Sequence, residues 1–162
     1  MIAIGIDNGV SGSIGTIFED SVEYVPMPVN RCLNYTKSKQ FLNRVDGVKL
    51  WDILFHGTSN LFCMIERPMI NPTRWKASMS AIRALEATLI ILEALKVPYQ
   101  FVDSKEWQRE LLPKGLKKEE LKIASLEVGK RLFPQVNFKG FKDADGLLIS
   151  EFCRRDKKNH GR

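Results

Sequence analysis

Two short apolar runs, each ending in an acidic residue, constrain the fold most strongly. Residues Ile2 to Ile6 are apolar apart from one glycine and lead directly into Asp7, and residues Leu61 to Ile65 lead directly into Glu66. Short apolar runs of this kind are typical of strands that are buried on both faces of a sheet. Because burying a carboxylate without a partner costs free energy, the two acids indicate a site that needs negative charge.

The first half of the chain predicts a small antiparallel meander beside the first strand. Residues 13–18 and 22–26 are the second and third strands, joined by a turn at 19–21. Residues 27–45 lack a pattern and are predicted to be a loop. Asp46 is a predicted N-cap of a helix that runs through His56, and its apolar side is predicted to be Val48, Trp51, Leu54 and Phe55.

The second half alternates helices and strands. After a proline-containing loop at 67–80 comes a helix with Ile82, Leu85, Leu89, Leu92 and Leu95 at helical spacing. A strand at 97–102, an amphipathic helix at 117–133 and a last helix at 143–154 follow. This order predicts an α/β layered fold in a single domain, 1–162, with a short, mobile basic tail from about residue 154.

A third acidic group stands at the start of the last helix. Asp145, Leu148, Ile149 and Phe152 share one helical stripe, which places Asp145 at one end of the face that packs on the sheet. Asp143 is two positions earlier, about 200° around a helix, so we expect it to act mainly as an N-cap or accessory group. Asp7, Glu66 and Asp145 together supply the carboxylates of a site for hard cations such as Mg²⁺.

Each acid also has an ordinary structural interpretation. Asp7 begins an Asp-Asn-Gly stretch that suits an Asx-turn, Glu66 is followed by Arg67 and could form an ion pair with it, and an Asp at a helix start is usually a cap. All three acids, however, stand where buried elements end. If those ends share one edge of the sheet, the acids converge there.

Composition excludes several classes of protein. No segment of the 162 residues is long and apolar enough to span a bilayer. Two histidines and three cysteines without ligand spacing make a zinc site or a histidine triad a poor fit, and the cysteines favour a reduced, cytoplasmic protein. The net charge is +6, and residues 103–162 carry fifteen Lys/Arg against ten Asp/Glu, which favours a polyanionic partner such as nucleic acid.

The ordered motifs resemble the RuvC group of Holliday-junction resolvases, within the ribonuclease H-like nucleases, and especially its phage-encoded members. The matching segments are IGIDNGVSGSIG, MIERP, the helix leading into VPYQFVDSKEWQ, then RLFP, and finally KDADGLLISEF. They span nearly the whole chain in the order of that family. The family's additional acid or histidine, three residues before the last acid, is Lys142 here, with Asp143 displaced by one position; a non-helical start to the last helix could still bring Asp143 to the metal.

The resemblance implies a ribonuclease H-like fold with a five-stranded mixed sheet flanked by helices, and a homodimer. It implies cleavage of branched DNA, chiefly four-way junctions, with two Mg²⁺ or Mn²⁺ ions per active site, in DNA recombination and repair in a bacterial or phage-infected cell. Asp7, Glu66 and Asp145 match the family's catalytic carboxylates, and Asp143 is the displaced fourth acid.

Two basic sets are candidates for DNA contact. The loop after Glu66 carries Arg67, Met69, Arg74, Trp75 and Lys76, where cations can hold phosphates and Trp75 or Met69 can stack on bases; alternatively Trp75 tucks under the following helix. The second set is Lys105, Lys114, Lys117, Lys118 and Lys122, which could instead be a solvated face.

Other functions remain open from the sequence. An actin-like ATPase or sugar-kinase relative shares the first hairpin pattern but needs two such lobes. A non-catalytic DNA-binding module, or a nuclease acting on flaps, forks or RNA–DNA hybrids, would also fit the motifs.

Overall fold

The computed structural model describes residues 1–37, 39–57 and 60–160, with only the backbone of 157–160. The strands are β1 (Ile2–Asp7), β2 (Ser13–Ile17), β3 (Val22–Pro26), β4 (Val29–Leu33), β5 (Phe41–Val45), β6 (Leu61–Glu66) and β7 (Tyr99–Val102). The helices are α1 (Gly47–Leu54), α2 (Trp75–Ala94), α3 (Ser104–Leu111), α4 (Lys118–Leu132) and α5 (Asp145–His160), and a 3-10 turn, Pro72–Arg74, precedes α2. Among these helices, none has the length and apolar character needed to cross a membrane.

Five strands form one mixed sheet in the order β3-β2-β1-β6-β7. Strand β1 lies at its centre, antiparallel to β2 and parallel to β6, while β2–β3 is antiparallel and β6–β7 is parallel. The predicted fold class, an antiparallel meander joined to parallel strands and flanked by helices, is confirmed.

Helices cover both faces of the sheet, and alternate strand residues point to different cores. On one face Ala3 and Met64 pack with Leu147, Leu148 and Ile149 of α5. On the other face Ile4, Ile6 and Cys63 pack with residues of α1 and α2. Strands buried on both faces have no polar side, which is why they appear as continuous apolar runs in the sequence.

Glycines let α5 lie unusually close to β1 and β2. A Cβ atom on Gly5 would lie 2.1 Å from the backbone nitrogen of Ser150, and one on Gly15 would lie 2.4 Å from the Cα of Leu147. A Cβ on Gly146, within α5 itself, would lie 2.5 Å from the carbonyl oxygen of Ser13. Only glycine fits at these three contacts, so the backbones of the helix and the strands touch directly.

The predicted loop at 27–45 is wrong. Residues Val29–Leu33 and Phe41–Val45 form an antiparallel hairpin separate from the main sheet, with Val29 paired to Val45 and Leu33 paired to Phe41. Most of its side chains are exposed or half-buried, including Leu33 and Phe41. Because the hairpin has no fully buried face, its sequence lacks the alternation that marks a strand.

The predicted apolar faces of α1 and α2 are partly wrong. In α1 the buried residues are Leu50 and Leu54, whereas Val48, Trp51 and Phe55 are exposed, and the helix ends at Leu54 rather than His56. Asp46 caps it as predicted, accepting a hydrogen bond from the Lys49 N–H at 3.2 Å.

Helix α2 begins at Trp75, earlier than predicted, and buries Ala84, Thr88, Ile91 and Leu92. Leu85, Leu89 and Leu95 are only half-buried, and Ile82 and Ile90 are exposed. Because the buried face includes the small residues Ala84 and Thr88, a search for large apolar side chains places that face wrongly.

Helices α3 and α5 differ most from expectation. The sequence does not predict helix α3. The side chain of Glu106, in its first turn, accepts a hydrogen bond from the Asp103 N–H at 2.8 Å. The helix buries Trp107 and Leu111. Helix α5 begins at Asp145 and continues through residue 160, so it extends beyond the end predicted at residue 154 into the predicted basic tail. Glu151, which is buried, binds Arg154 and Arg155 one turn further on, each at 2.8 Å, and these ion pairs support the extension.

Candidate metal centre

Asp7 and Glu66 lie at the same edge of the sheet. They are the last residues of the neighbouring parallel strands β1 and β6, and the preceding residues Ile6 and Ile65 are paired in the ladder. Parallel strands that end together bring their terminal side chains together. Two buried strands therefore deliver two carboxylates to one place.

The start of α5 brings two more acids to Asp7. One carboxylate oxygen from each of Asp7, Asp143 and Asp145 lies within 4.8 Å of the other two. The expectation that Asp143 and Asp145 point in different directions assumed that both are helical. Because α5 begins at Asp145, Asp143 precedes the helix and its side chain is free to turn toward the same cluster. We call Asp7, Glu66, Asp143 and Asp145 the acid cluster.

The buried hydroxyl group of Ser125 fixes the position of Asp145. The Ser125 hydroxyl on α4 donates to the Oδ1 of Asp145 and accepts the backbone N–H of Ala144 at 3.0 Å. Ser125 is fully buried, so these hydrogen bonds have no competition from water. The sequence does not reveal this role, because Ser125 is an isolated serine in an amphipathic helix.

A second hydroxyl pair holds the start of α5 against the meander. The Ser13 hydroxyl on β2 accepts the backbone N–H of Gly146 at 3.2 Å and lies 2.9 Å from the hydroxyl of Tyr24. The Tyr24 hydroxyl also lies 3.1 Å from the carbonyl oxygen of Asp143, and its ring stacks on Phe141 with centroids 4.2 Å apart. Hydrogen bonds to β2 and β3 therefore hold the segment that carries Asp143 and Asp145 in place.

The acid cluster concentrates negative charge in a site that excludes much of the solvent. The pKa of Asp7 is raised well above its ordinary value, chiefly by burial and then by the charges of Glu66, Asp145 and Asp143. Burial and the nearby acids raise the pKa of Glu66 to about 7, and burial and Asp143 raise that of Asp145 to about 6. In each case the carboxylate is destabilised, so a cation at the cluster would be favoured.

Lys122 is the cation that the fold supplies to this cluster. Its ammonium nitrogen lies 2.8 Å from the Oδ2 of Asp143, and this hydrogen bond raises the pKa of Lys122. Lys122 belongs to the second basic set, which the sequence predicts to contact DNA or solvent, and the structure instead pairs it with Asp143. The sequence alone does not distinguish this lysine from the others in the set.

Glu66 has a partner of its own. The indole N–H of Trp107, a fully buried residue of α3, donates to the Oε2 of Glu66 at 2.9 Å. This contact joins residues far apart in the sequence, and no local motif signals it.

The ordinary interpretations of the acids fit the structure poorly. Within the described residues, the Asp7 carboxylate accepts no hydrogen bond, so no Asx-turn forms through it. Arg67 pairs with Asp103 at 3.0 Å rather than with Glu66. The contact from the Asp145 N–H to the Asp143 carboxylate is 3.5 Å long, which is weak for a cap.

All of the candidate DNA contacts are exposed, but two of the cations, Arg67 and Lys122, are engaged in ion pairs. Met69 and Trp75 have exposed fractions of 76% and 66%, so Trp75 does not tuck under α2. Arg67 is taken up by Asp103 and lies 5.1 Å over the ring of Phe101, and Lys122 lies at the acid cluster. The remaining cations are exposed: Arg74, Lys76, Lys105, Lys114, Lys117 and Lys118.

The donor set fits a hard divalent cation. Carboxylate oxygens are the ligands that Mg²⁺ and Mn²⁺ prefer, and the three grouped oxygens come from the end of β1, the start of α5 and the segment just before α5. Asp7 is electrostatically coupled to each of the other three acids, as expected for a residue in the middle of such a site.

Comparison with known proteins supports the fold. A Thermus thermophilus RuvC in complex with a Holliday junction substrate matches with a TM-score of 0.62 at 13% identity, covering 99% of this chain and 96% of that one. A second Thermus thermophilus RuvC structure gives 0.60 at 13% identity, covering 99% and 97%. No family model and no curated protein matches the sequence. The resemblance to RuvC seen in the ordered motifs is therefore confirmed at the level of the fold.

Proposed function

We propose that this RuvC-like chain is a metal-dependent endonuclease that cuts branched DNA, most specifically a crossover junction endodeoxyribonuclease that resolves four-way junctions. The observation that carries the proposal is the acid cluster, in which one oxygen from each of Asp7, Asp143 and Asp145 lies within 4.8 Å of the others. Since a RuvC structure of the same fold holds a Holliday junction, a junction is the substrate that this likeness supports.

Asp7, Glu66, Asp143 and Asp145 are the proposed metal ligands, with two Mg²⁺ ions per site and Mn²⁺ as a substitute. Two bound ions would supply an activated water and stabilise the leaving oxygen in phosphodiester cleavage. The protein's own part is to hold the carboxylates in place, through the hydrogen bonds of Ser125 to Asp145 and of Trp107 to Glu66. Lys122 offsets part of the negative charge, and its ammonium group is positioned to contact a phosphate brought to the cluster.

The exposed residues of the loop after Glu66 are the proposed junction contacts. Arg74 and Lys76 hold phosphates while Met69 or Trp75 stacks on bases at the branch point. An exposed aromatic and an exposed thioether beside two cations have no packing role in the chain itself. The lysines at 105, 114, 117 and 118 extend the basic surface for duplex arms, while Arg67 serves mainly to tie this loop to α3.

We propose that the protein acts as a homodimer, since symmetric nicks in a junction require two acid clusters related by a two-fold axis. The exposed Ile82 and Ile90 of α2 support that helix as the contact. The described structure has no disulfide, which is in keeping with the reducing cytoplasm of a bacterial or phage-infected cell.

Incubation with synthetic four-way, three-way, flap, linear and RNA–DNA hybrid substrates tests the proposal. We expect Mg²⁺-dependent paired nicks in the four-way junction, and Asp7→Asn should abolish them while leaving junction binding largely intact. Retained cutting by the Asp7→Asn protein would refute the metal mechanism. Cutting confined to flaps or hybrids would keep the enzyme class and replace the substrate, and junction binding without cleavage would favour a non-catalytic module.

A further inference from the structure

The indole of Trp107 combines complete burial with a hydrogen bond to a candidate metal ligand. Its ring belongs to the core formed with Leu147 and Leu148 of α5 and Met64 of β6. Its Nε1–H lies 2.9 Å from the Oε2 of Glu66. A phenylalanine could fill the same core without leaving a donor that requires a partner. Packing alone therefore does not account for the indole.

The hydrogen bond divides the two oxygens of Glu66 into different roles. Oε2 is occupied by a donor that water does not reach, whereas among the described residues no group donates a hydrogen bond to Oε1. A carboxylate with both oxygens free can rotate and chelate a cation with both. A carboxylate that is held through Oε2 offers only Oε1 to the cation.

The helix that carries Trp107 is fixed to the strand that carries Glu66. Directly after Glu66, the Arg67 N–H donates to the carbonyl oxygen of Val102 at 3.0 Å, and its guanidinium pairs with Asp103 at 3.0 Å. Asp103 is the N-cap residue of α3. The donor and acceptor therefore stand on elements that cannot easily shift relative to each other, and the hydrogen bond orients the carboxylate rather than following it.

We propose that Trp107 is a positioning residue that makes Glu66 a one-oxygen ligand and so biases the acid cluster toward Mg²⁺ or Mn²⁺ over Ca²⁺. Ca²⁺ accepts two oxygens of one carboxylate and a variable number of ligands, whereas Mg²⁺ is held by single carboxylate oxygens in a strict octahedron. This inference rests on the proposed function only in assuming that the cluster binds a divalent cation. Groups that orient metal ligands commonly change metal affinity by about 10- to 100-fold.

Calorimetric titration of the DNA-free protein with Mn²⁺ and with Ca²⁺ tests the inference without relying on nuclease activity. Trp107→Phe should weaken Mn²⁺ binding by about 10-fold and weaken Ca²⁺ binding less, so the Mn²⁺/Ca²⁺ preference falls. In the Glu66→Gln background, Trp107→Phe should have no further effect, because the residue acts through Glu66. Leu111→Ala, which opens a cavity in the same core one turn along α3 and removes no hydrogen-bond donor, is the matched control and should leave the preference unchanged.

Three outcomes overturn the inference, and they separate it from the proposed function. If the wild-type protein binds neither cation, the proposed function fails and this inference fails with it. If wild-type protein binds Mn²⁺ but Trp107→Phe retains the affinity and preference, only the inference fails. An equal loss in the Glu66→Gln background would show that Trp107 acts through general packing instead.

If Trp107→Phe does not fold, a protein in which only the indole N–H is replaced provides the same test. In a Trp51→Phe, Trp75→Phe background, tryptophan can be substituted throughout by benzothienylalanine, which has a sulfur in place of the N–H and nearly the same shape. The same fall in Mn²⁺/Ca²⁺ preference is expected, and an unchanged preference refutes the proposal.

Discussion

The close contact between α5 and the first two strands can be tested with a single added methyl group. In Gly15→Ala the new Cβ would lie 2.4 Å from the Cα of Leu147. Ordinary carbon contacts are about 3.4 Å or longer, so the helix has to retreat by about 1 Å. The obstructing atoms are backbone, and no side-chain rotamer can relieve the clash.

The expected cost follows from what α5 buries. Leu147, Leu148, Ile149 and Cys153 are completely buried beneath this helix, and separating it from the sheet loosens all of them. Overpacking of this kind costs about 1–3 kcal/mol, which in a protein of this size lowers Tm by roughly 3–10 °C. The shift also moves Asp145, which adjoins Gly146, away from Asp7, and a misplacement of about 1 Å can lower catalysis by about 100-fold.

Gly47→Ala is the matched control. At the first position of α1, a new Cβ would lie 3.7 Å from the Cδ1 of Ile91, an ordinary contact, and replacing a helical glycine stabilises by up to about 1 kcal/mol. Thermal melts and Mn²⁺ titrations of both variants are the measurements. If Gly15→Ala melts within about 2 °C of wild type and binds Mn²⁺ equally well, the helix does not lie against the strand as described.

Three further outcomes follow from the acid cluster. Because Asp143 and Asp145 both reach Asp7, Asn at either position should weaken Mn²⁺ binding in calorimetry and reduce junction cleavage by at least about 10-fold; a harmless Asp143→Asn would return that residue to a capping role. Burial raises the pKa of Glu66 to about 7 and that of Asp145 to about 6, so the folded state holds protons more tightly than the unfolded state. The free energy of unfolding without metal should therefore fall as pH rises from about 4 to about 7, and Mg²⁺ should reverse that loss; a metal-free Tm that rises over this interval in EDTA contradicts the electrostatics. Sedimentation should show two protein chains per junction, and one chain that cuts both strands in a single binding event would overturn the dimer.

Local signals predicted the parts of the site that depend on single elements. Strands β1 and β6 are continuous apolar runs because both faces are covered, so Asp7 and Glu66 stand out at their ends. Asp145 was found from the helical spacing that it shares with Leu148. Each of these inferences needed only residues that are neighbours along the chain.

The parts that depend on tertiary placement were not predictable in this way. Trp107 reaches Glu66 across α3, and Lys122 is distinguished from the lysines around it only by where α4 packs. The hairpin at 29–45 was missed because neither of its faces is fully buried. Asp143 was assigned a separate direction because the helix was started two residues too early, and the true start depends on Ser125 and Ser13, which hold the backbone at Ala144 and Gly146.

The acid cluster combines a residue of the first strand, β1, with residues at the start of the last helix, α5. During synthesis, Asp7 and Glu66 therefore join the chain long before Asp145, and the acid cluster is incomplete while the chain is still being made. The centre closes only when α5 docks on Gly5 and Gly15, which is also the step that completes the core on that face of the sheet. The proposed nuclease activity should thus be lost when the native state opens at α5, and an incompletely made copy of the chain would lack it.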